Sequence, residues 1–207
     1  GTPMFSLSNI SPKNNTVSHF SFTGGNLTNH AGLILFKELF HQLHLKELIS
    51  KLLVTNDERH YYQYSDADIV LQFLYHLLAG YDTDSACQEL RFDAYFPKLL
   101  ENGQVASQPT LSRFLTRSTE ATVDSLRCIN LELVKLFVHY QGHQNLIVDV
   151  DSTHFSTYGK QEGTSYNAHY RETGYHPLYA FEGRLGYCLQ ASLRPGNVYC
   201  SEQAEDF

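Results

Sequence analysis

Tryptophan is absent from the 207-residue chain, methionine occurs once, and cysteine occurs only four times. The cysteines are widely separated and form no CxxC pair, which excludes a disulfide-stapled scaffold and a paired-cysteine zinc site. Apolar residues make up 42% of the chain, yet none of their runs approaches the ~20 residues that span a bilayer. The composition therefore predicts a soluble, cytoplasmic, globular protein with reduced thiols and no membrane segment.

Acidic residues outnumber basic residues by 22 to 15, which gives a formal net charge of -7. A protein whose whole surface binds the phosphates of a nucleic acid is usually basic, so this balance excludes that kind of protein and leaves room only for a local basic groove. None of the 11 histidines lies in an HExxH motif or at a paired Cys/His spacing. The histidine pattern therefore does not favour zinc.

The chain divides into three regions by composition and period. Residues 1–26 are polar and irregular and form a predicted N-terminal arm. Residues 27–142 carry apolar side chains at intervals of three and four, which predicts a helical domain whose longest helix, from about Ser118, buries Val123 and Leu126. Ser65 and Asp68 have the spacing of a capping box, and Pro109 suits the first turn of a short helix.

Beyond residue 142 the apolar period changes to that of strands. A long polar and aromatic loop is predicted over residues 154–175. Three strands cannot complete a covered sheet, so residues 143–207 are expected to begin a sheet domain that is cut short. The predicted strands are residues 146–151, 177–181 and 187–193, and the last two are joined by a predicted hairpin loop with glycine.

Asp149 and Asp151 lie on one face at the end of the first predicted strand. If that strand is buried, its carboxylates must be paired or bound to a metal, and hard oxygen ligands favour Mg²⁺ or Mn²⁺. Alternatively, the acids lie at an exposed strand end, where Ser152 and Thr153 cap the following turn. The spacing alone does not choose between these two interpretations.

Three segments of the chain are informative together. Residues 149–197 read DVDSTHFSTYGKQEGTSYNAHYRETGYHPLYAFEGRLGYCLQASLRPGN, residues 107–114 read SQPTLSRF, and residues 79–96 read AGYDTDSACQELRFDAYF. The first segment resembles the start of the catalytic domain of the DDE transposases of bacterial insertion sequences, the insertion-sequence 1380 family in particular, and the other two resemble the region before that domain. The segments occur in the family's order, which makes the resemblance more specific than any single motif.

The resemblance implies an α+β protein, in which a helical domain precedes a ribonuclease H-like domain that holds two Asp and one Glu around two Mg²⁺ or Mn²⁺ ions. Asp151 matches the first of these catalytic metal ligands. Asp149 matches none of them and is expected either to support a metal ligand without binding the metal or to be structural. The second Asp and the Glu are expected beyond the RPGN segment, outside residues 1–207, so we expect this chain alone to be inactive in DNA cleavage.

The resemblance also implies that the helical region engages DNA. Arg113 and Arg117 lie about one helical turn apart and could both reach phosphates, although the sequence alone favours a solvated helix face or a bond from Arg113 to an inter-helix carbonyl. In the polar loop, Lys160 and Arg171 could hold the DNA backbone while Tyr166 stacks on a base. The alternative is a loop packed on its own rings.

The implied function is cutting and joining of double-stranded DNA at the ends of an insertion sequence. A homodimer or larger assembly is expected, because two ends must be brought together. The expected location is the bacterial cytoplasm, on the nucleoid when DNA is bound. The alternative is a catalytically inactive truncated product that binds element ends, or a non-functional relic.

Overall fold

The computed structural model describes residues 27–142, 145–159 and 161–198. Its helices and strands form a mixed α+β architecture, which confirms the predicted fold class. The chain separates into two compact units, one ending at Leu126 and the other beginning at Arg127. This division falls inside the longest helix, whereas the boundary predicted after residue 142 coincides with the end of that helix and stays a prediction. The predicted arm and Lys160 lie outside the described residues.

The helices follow the predicted amphipathic period. The first two are separated at His44, which has a left-handed conformation with φ of 50°. Short 3-10 turns occur at Ala31–Leu33 and Asp84–Ala86. The helices are Ile34–Gln42 (α1), Leu45–Leu52 (α2), Asp66–Leu78 (α3), Cys87–Leu90 (α4), Phe96–Leu99 (α5), Gln108–Arg117 (α6) and Glu120–Tyr140 (α7).

A capping box starts α3, as the sequence predicts. The Ser65 hydroxyl accepts a hydrogen bond from the Asp68 backbone N–H at 3.1 Å, and the Asp68 carboxylate accepts one from the Ser65 N–H at 2.9 Å. The two reciprocal bonds satisfy N–H groups that have no partner inside the helix. The helix ends at Leu78, and Gly80 follows with a φ of 89°, which only glycine adopts readily.

The core of the first unit lies between α1, α3 and the segment that contains α4 and α5. Phe96 is fully buried at its centre, and Tyr75 is 3% exposed. Pro109 lies in the first turn of α6, as predicted. The buried members of this core are Leu33, Ile34, Tyr75, Ala86, Leu90, Tyr95, Phe96 and Leu99.

The buried face of α7 differs at its start from the predicted face. Val123 and Leu126, expected in the core, are exposed by 49% and 38%, whereas Thr122 and Ser125 are buried. Both buried polar side chains have hydrogen-bond partners: the Thr122 hydroxyl accepts from the Thr119 backbone N–H at 2.9 Å, and the Ser125 hydroxyl accepts from the Val54 backbone N–H at 3.1 Å. These bonds satisfy the polar groups that this face of the helix buries.

The second unit contains two small antiparallel sheets with strand orders β1-β5-β6 and β2-β4-β3. The two C-terminal strand predictions are confirmed, and Gly186, with a φ of 71°, lies between those strands. The predicted loop over residues 154–175 is wrong, because it folds into the second sheet. The strands are Val148–Ser152 (β1), Phe155–Ser156 (β2), Ser165–Asn167 (β3), Glu172–Tyr175 (β4), Leu178–Glu182 (β5) and Cys188–Ser192 (β6).

The first strand is exposed, so the condition of the paired or metal-bound interpretation, a buried strand, is not met among the described residues. Val148 and Val150 are exposed by 54% and 45%. In the described part of the chain β1 is an edge strand, paired only with β5. The sheet is covered at β5 and β6, where Val134 of α7 packs against Ala180 and Leu189.

Candidate functional site

The edge strand β1 presents Asp151 to solvent. Antiparallel pairing places Asp151 opposite Tyr179 and Asp149 opposite Phe181, so both acids lie on one face, as predicted. The Asp151 Oδ1 atom accepts a hydrogen bond from the Ser152 backbone N–H at 2.8 Å. Within the described residues this carboxylate makes no other hydrogen bond, so it remains available to an external partner.

The described residues do not complete a metal site around Asp151. They contain no group of three or more His, Cys, Asp or Glu side chains arranged to hold an ion. Asp151 offers one hard oxygen ligand of the type that Mg²⁺ and Mn²⁺ bind, but a stable site needs further oxygens from protein or substrate. On the described residues alone, the implied ion is not enclosed.

The β3–β4 hairpin carries two of the predicted DNA contacts. Tyr166 lies on β3 and is 58% exposed, and Arg171 lies in the turn and is exposed with a left-handed φ of 58°. A non-glycine residue in this conformation is uncommon and is held there by its surroundings. The structure thus directs both side chains outward from an ordered hairpin. The third predicted contact of this segment, Lys160, is not among the described residues.

Asn167 holds this turn in place, and sequence reasoning missed it. Its side chain, in a residue 7% exposed, accepts hydrogen bonds from the backbone N–H groups of His169 at 2.9 Å and Tyr170 at 3.2 Å. Its amide nitrogen donates to the Gly196 carbonyl at 2.7 Å. One buried side chain therefore ties the turn to the RPGN segment.

His154 is a second residue that the sequence did not single out. Its side chain is 5% exposed and stacks on Tyr170, with ring centroids 4.8 Å apart and an interplanar angle of 12°. Its Nε2 atom lies 3.9 Å from the Glu172 carboxylate. Because His154 follows β1 directly, this stack fixes the β3–β4 turn close to the strand that carries Asp151.

The RPGN segment is part of the core of this unit. Arg194 is 2% exposed, and its Nε donates to the His176 carbonyl at 3.0 Å. Gly196 approaches the second sheet so closely that a Cβ atom there would collide with the carbonyl oxygens of Ser165 and Gly174. These positions explain why Arg and Gly occur here.

Glu182 fixes the hairpin that follows β5. This residue is 1% exposed, and its carboxylate accepts hydrogen bonds from the backbone N–H groups of Ile147, Arg184 and Leu185 at 3.3, 3.0 and 2.6 Å. Burial by itself would raise the pKa of Glu182, but these hydrogen bonds and the Arg184 charge lower it below its ordinary value. The carboxylate therefore anchors the chain that leads into β1.

The two arginines of α6 have different surroundings. Arg113 is exposed, and its guanidinium lies at the limit of hydrogen bonding, 3.5 Å from the Thr110 hydroxyl. Arg117 is mostly buried, forms an ion pair with Asp66, and lies 5.3 Å from the centre of the Phe114 ring. The DNA contact of Arg117 stays a prediction, and the structure gives this residue an internal, structural partner.

Asp66 is shared by a second arginine. Arg59 contacts Asp66 at 2.6 Å and also pairs with Asp57, with nitrogen to oxygen distances of 2.6 and 2.7 Å. The hydrogen bond from Arg59 is the main reason that the pKa of Asp57 falls to about 2. The network joins the segment before α3 to the C-terminal end of α6.

A comparison with protein families assigns the class. The model of the family "Transposase DDE domain group 1" matches residues 10–207 of this chain. The protein is thus a DDE transposase, and it belongs to this family. Neither a curated protein nor a solved structure matches the chain.

Membership in this family identifies DNA as the substrate, and DDE transposase domains generally use divalent metal ions. Asp151 offers a carboxylate, the chemical type of group that such ions bind. Among the described helices, none is both long and apolar enough to cross a membrane.

Proposed function

We propose that the chain is the N-terminal part of a transposase of the insertion-sequence 1380 family, which cuts and joins DNA at the ends of its element. Asp151 is the first catalytic carboxylate. The observation that carries this proposal is an exposed strand that presents Asp151 with an unoccupied acceptor oxygen, in a chain of the DDE transposase family.

The remaining carboxylates of the active site, one Asp and one Glu, lie beyond residue 207 in this proposal. Together the three residues hold two Mg²⁺ or Mn²⁺ ions in a ribonuclease H-like domain. Ions held in this way supply Lewis-acid chemistry at the scissile phosphate. Asp149 supports the strand from the same face and does not bind metal.

The proposed DNA contacts fall in both units. In the helical unit Arg113 approaches the duplex, whereas Arg117 acts chiefly by fixing α6 through Asp66. In the second unit, Arg171 and Lys160 contact the phosphate backbone and Tyr166 stacks on an unpaired base near the scissile phosphate. Two copies of the complete enzyme, or a larger assembly, hold the two ends together.

A second candidate is an inactive product that binds element ends and competes with the complete enzyme. It is favoured by the absence, among the described residues, of any cluster of three potential metal ligands. Both candidates predict that the 207-residue chain binds end DNA without cutting it.

The test incubates this chain with Mn²⁺ and a labelled duplex that carries the element's terminal repeat. We expect binding without strand cleavage. Specific nicking that disappears in Asp151→Asn would contradict the proposal that the chain holds only part of the active site.

The reading frame after Phe207 separates the two candidates. A continuation that encodes an Asp at a strand end and a Glu on a later helix supports the enzyme. A stop codon in its place supports the inactive product.

A further inference from the structure

Helix α6 is fixed along one face. Leu111 is fully buried and Phe114 is 4% exposed, and Arg117 forms its ion pair with Asp66 at the C-terminal end. These contacts set the orientation of the helix, so its opposite face keeps a constant direction. A preorganised face binds a partner at a lower entropic cost than a mobile one.

The segment that leads into α6 is fixed as well. Ala106 is fully buried, and both of its backbone groups bond to the side-chain amide of Gln72: the Ala106 N–H donates at 2.7 Å and the carbonyl accepts at 3.0 Å. Gln72 is itself 1% exposed and belongs to α3. The helix is therefore held from α3 at both of its ends.

The opposite face of α6 is exposed and polar. Pro109, Ser112, Arg113 and Thr116 are all exposed, and their spacing of three, four and seven residues places them on one side of a helix. Arg113 is the only long side chain among them, and it has no carboxylate within ion-pairing distance among the described residues. Short side chains on both sides of one arginine let the helix backbone come close to a partner.

The charge of this segment differs from that of the whole chain. Residues 102–119 contain no Asp or Glu, although the chain has 22 acidic residues and a net charge of -7. Within the described residues, acids come near the helix only at its two ends: Asp84 accepts a hydrogen bond from Gln108 at 3.3 Å at the start, and Asp66 pairs with Arg117 at the C-terminal end. From Ser112 onward, Arg113 is the only charged residue on the exposed face of α6. A face with one positive and no negative charge suits a polyanion.

We propose that this face of α6 enters the major groove of the element's end sequence, with Arg113 reading a guanine and with Ser112 and Thr116 flanking it. The inference rests on the proposed function and deepens it, because it assigns sequence recognition to one helix. The major groove is about 12 Å wide and admits an α-helix, and an arginine that donates two hydrogen bonds to guanine is the commonest specific contact there.

Fluorescence anisotropy of the full 207-residue chain tests the proposal. The probes are a labelled duplex with the element's terminal repeat and a shuffled duplex of the same composition. Arg113→Gln is expected to lower the preference for the end sequence over the shuffled sequence by about 5- to 150-fold, the discrimination of one bidentate contact. Ser112→Glu, which adds an acid to the same face, is expected to weaken binding to both duplexes.

Lys51→Gln is the matched control, because Lys51 is an exposed cation on α2 and its loss removes the same charge. We expect this variant to keep the wild-type preference. Far-UV circular dichroism checks that each variant is folded.

If Arg113→Gln weakens binding to both duplexes equally, Arg113 contacts phosphate alone, and the proposal that it reads a base is wrong. The proposal is also wrong if the variant keeps the wild-type preference for the end sequence. If the wild-type chain itself does not prefer the end sequence, the chain does not recognise element ends. That result would contradict the proposed function as well as the role of α6.

Discussion

The side chain of Asn167 offers the sharpest test of how the β3–β4 turn is built. Replacement by alanine removes three hydrogen bonds at once: the two that His169 and Tyr170 donate and the one that Gly196 accepts. All three partners are backbone groups, so no other side chain rearranges to replace them. Asn197, an exposed neighbour, provides the matched Asn→Ala control.

The expected loss follows from the number of bonds. A typical intramolecular hydrogen bond contributes about 0.5–1.5 kcal/mol net, so Asn167→Ala should lower the free energy of unfolding of the second unit by about 2–4 kcal/mol. Asn167→Asp keeps both acceptor bonds but places a carboxylate oxygen against the Gly196 carbonyl. The loss of stability in Asn167→Asp should exceed the loss in Asn197→Ala, which we expect to stay within about 0.5 kcal/mol.

Urea unfolding followed by far-UV circular dichroism measures these differences, since the chain has no tryptophan for fluorescence. Hydrogen exchange adds a local measurement. The amides of His169 and Tyr170 should lose protection in Asn167→Ala and keep more of it in Asn167→Asp. If Asn167→Ala matches Asn197→Ala in both stability and exchange, the proposed role of Asn167 is wrong.

Three further predictions concern the fold. Gln72→Leu leaves both backbone groups of Ala106 buried without partners and should cost about 2–6 kcal/mol in urea unfolding, at about 1–3 kcal/mol for each group; a loss below about 0.5 kcal/mol would contradict this. Gly196→Ala should lower the melting temperature, because its Cβ collides with two backbone carbonyls; unchanged melting would refute that collision. Since the pKa of Asp57 is lowered from 3.8 to about 2, its pairing with Arg59 stabilises the fold above pH 3.8, and this stabilisation is lost as the pH falls through about 2. Asp57→Asn should therefore be less stable than wild type above pH 3.8 and equally stable below about pH 2. A difference in stability that does not change with pH would contradict the assignment.

The features that sequence reasoning predicted correctly depend on neighbours along the chain. The Ser65 and Asp68 capping box spans four residues, and Pro109 acts within one helical turn. The hairpin between β5 and β6 is set by a short loop with glycine. In each case the interacting groups lie within a few residues, where spacing determines geometry.

The features that were missed depend on distant partners. Asn167 bonds to Gly196, 29 residues away, and nothing in either local pattern reveals that pairing. The apolar run of β1 has the composition of a buried strand, but its position at a sheet edge leaves it exposed. The three strands over residues 154–175 are short and rich in polar residues, so their pairing is visible only in the folded chain.

The central claim is that Asp151 is a catalytic carboxylate of a DNA transposase. The most direct test expresses the complete open reading frame and measures Mn²⁺-dependent cleavage of a labelled duplex that carries the element's end, for wild type, Asp151→Asn and Asp149→Asn. Both acids lie on the same exposed face of β1, so the second variant controls for the loss of one charge there. The account predicts that Asp151→Asn still binds the duplex but does not cut it, while Asp149→Asn retains cleavage. Cleavage by Asp151→Asn at the wild-type rate would contradict it.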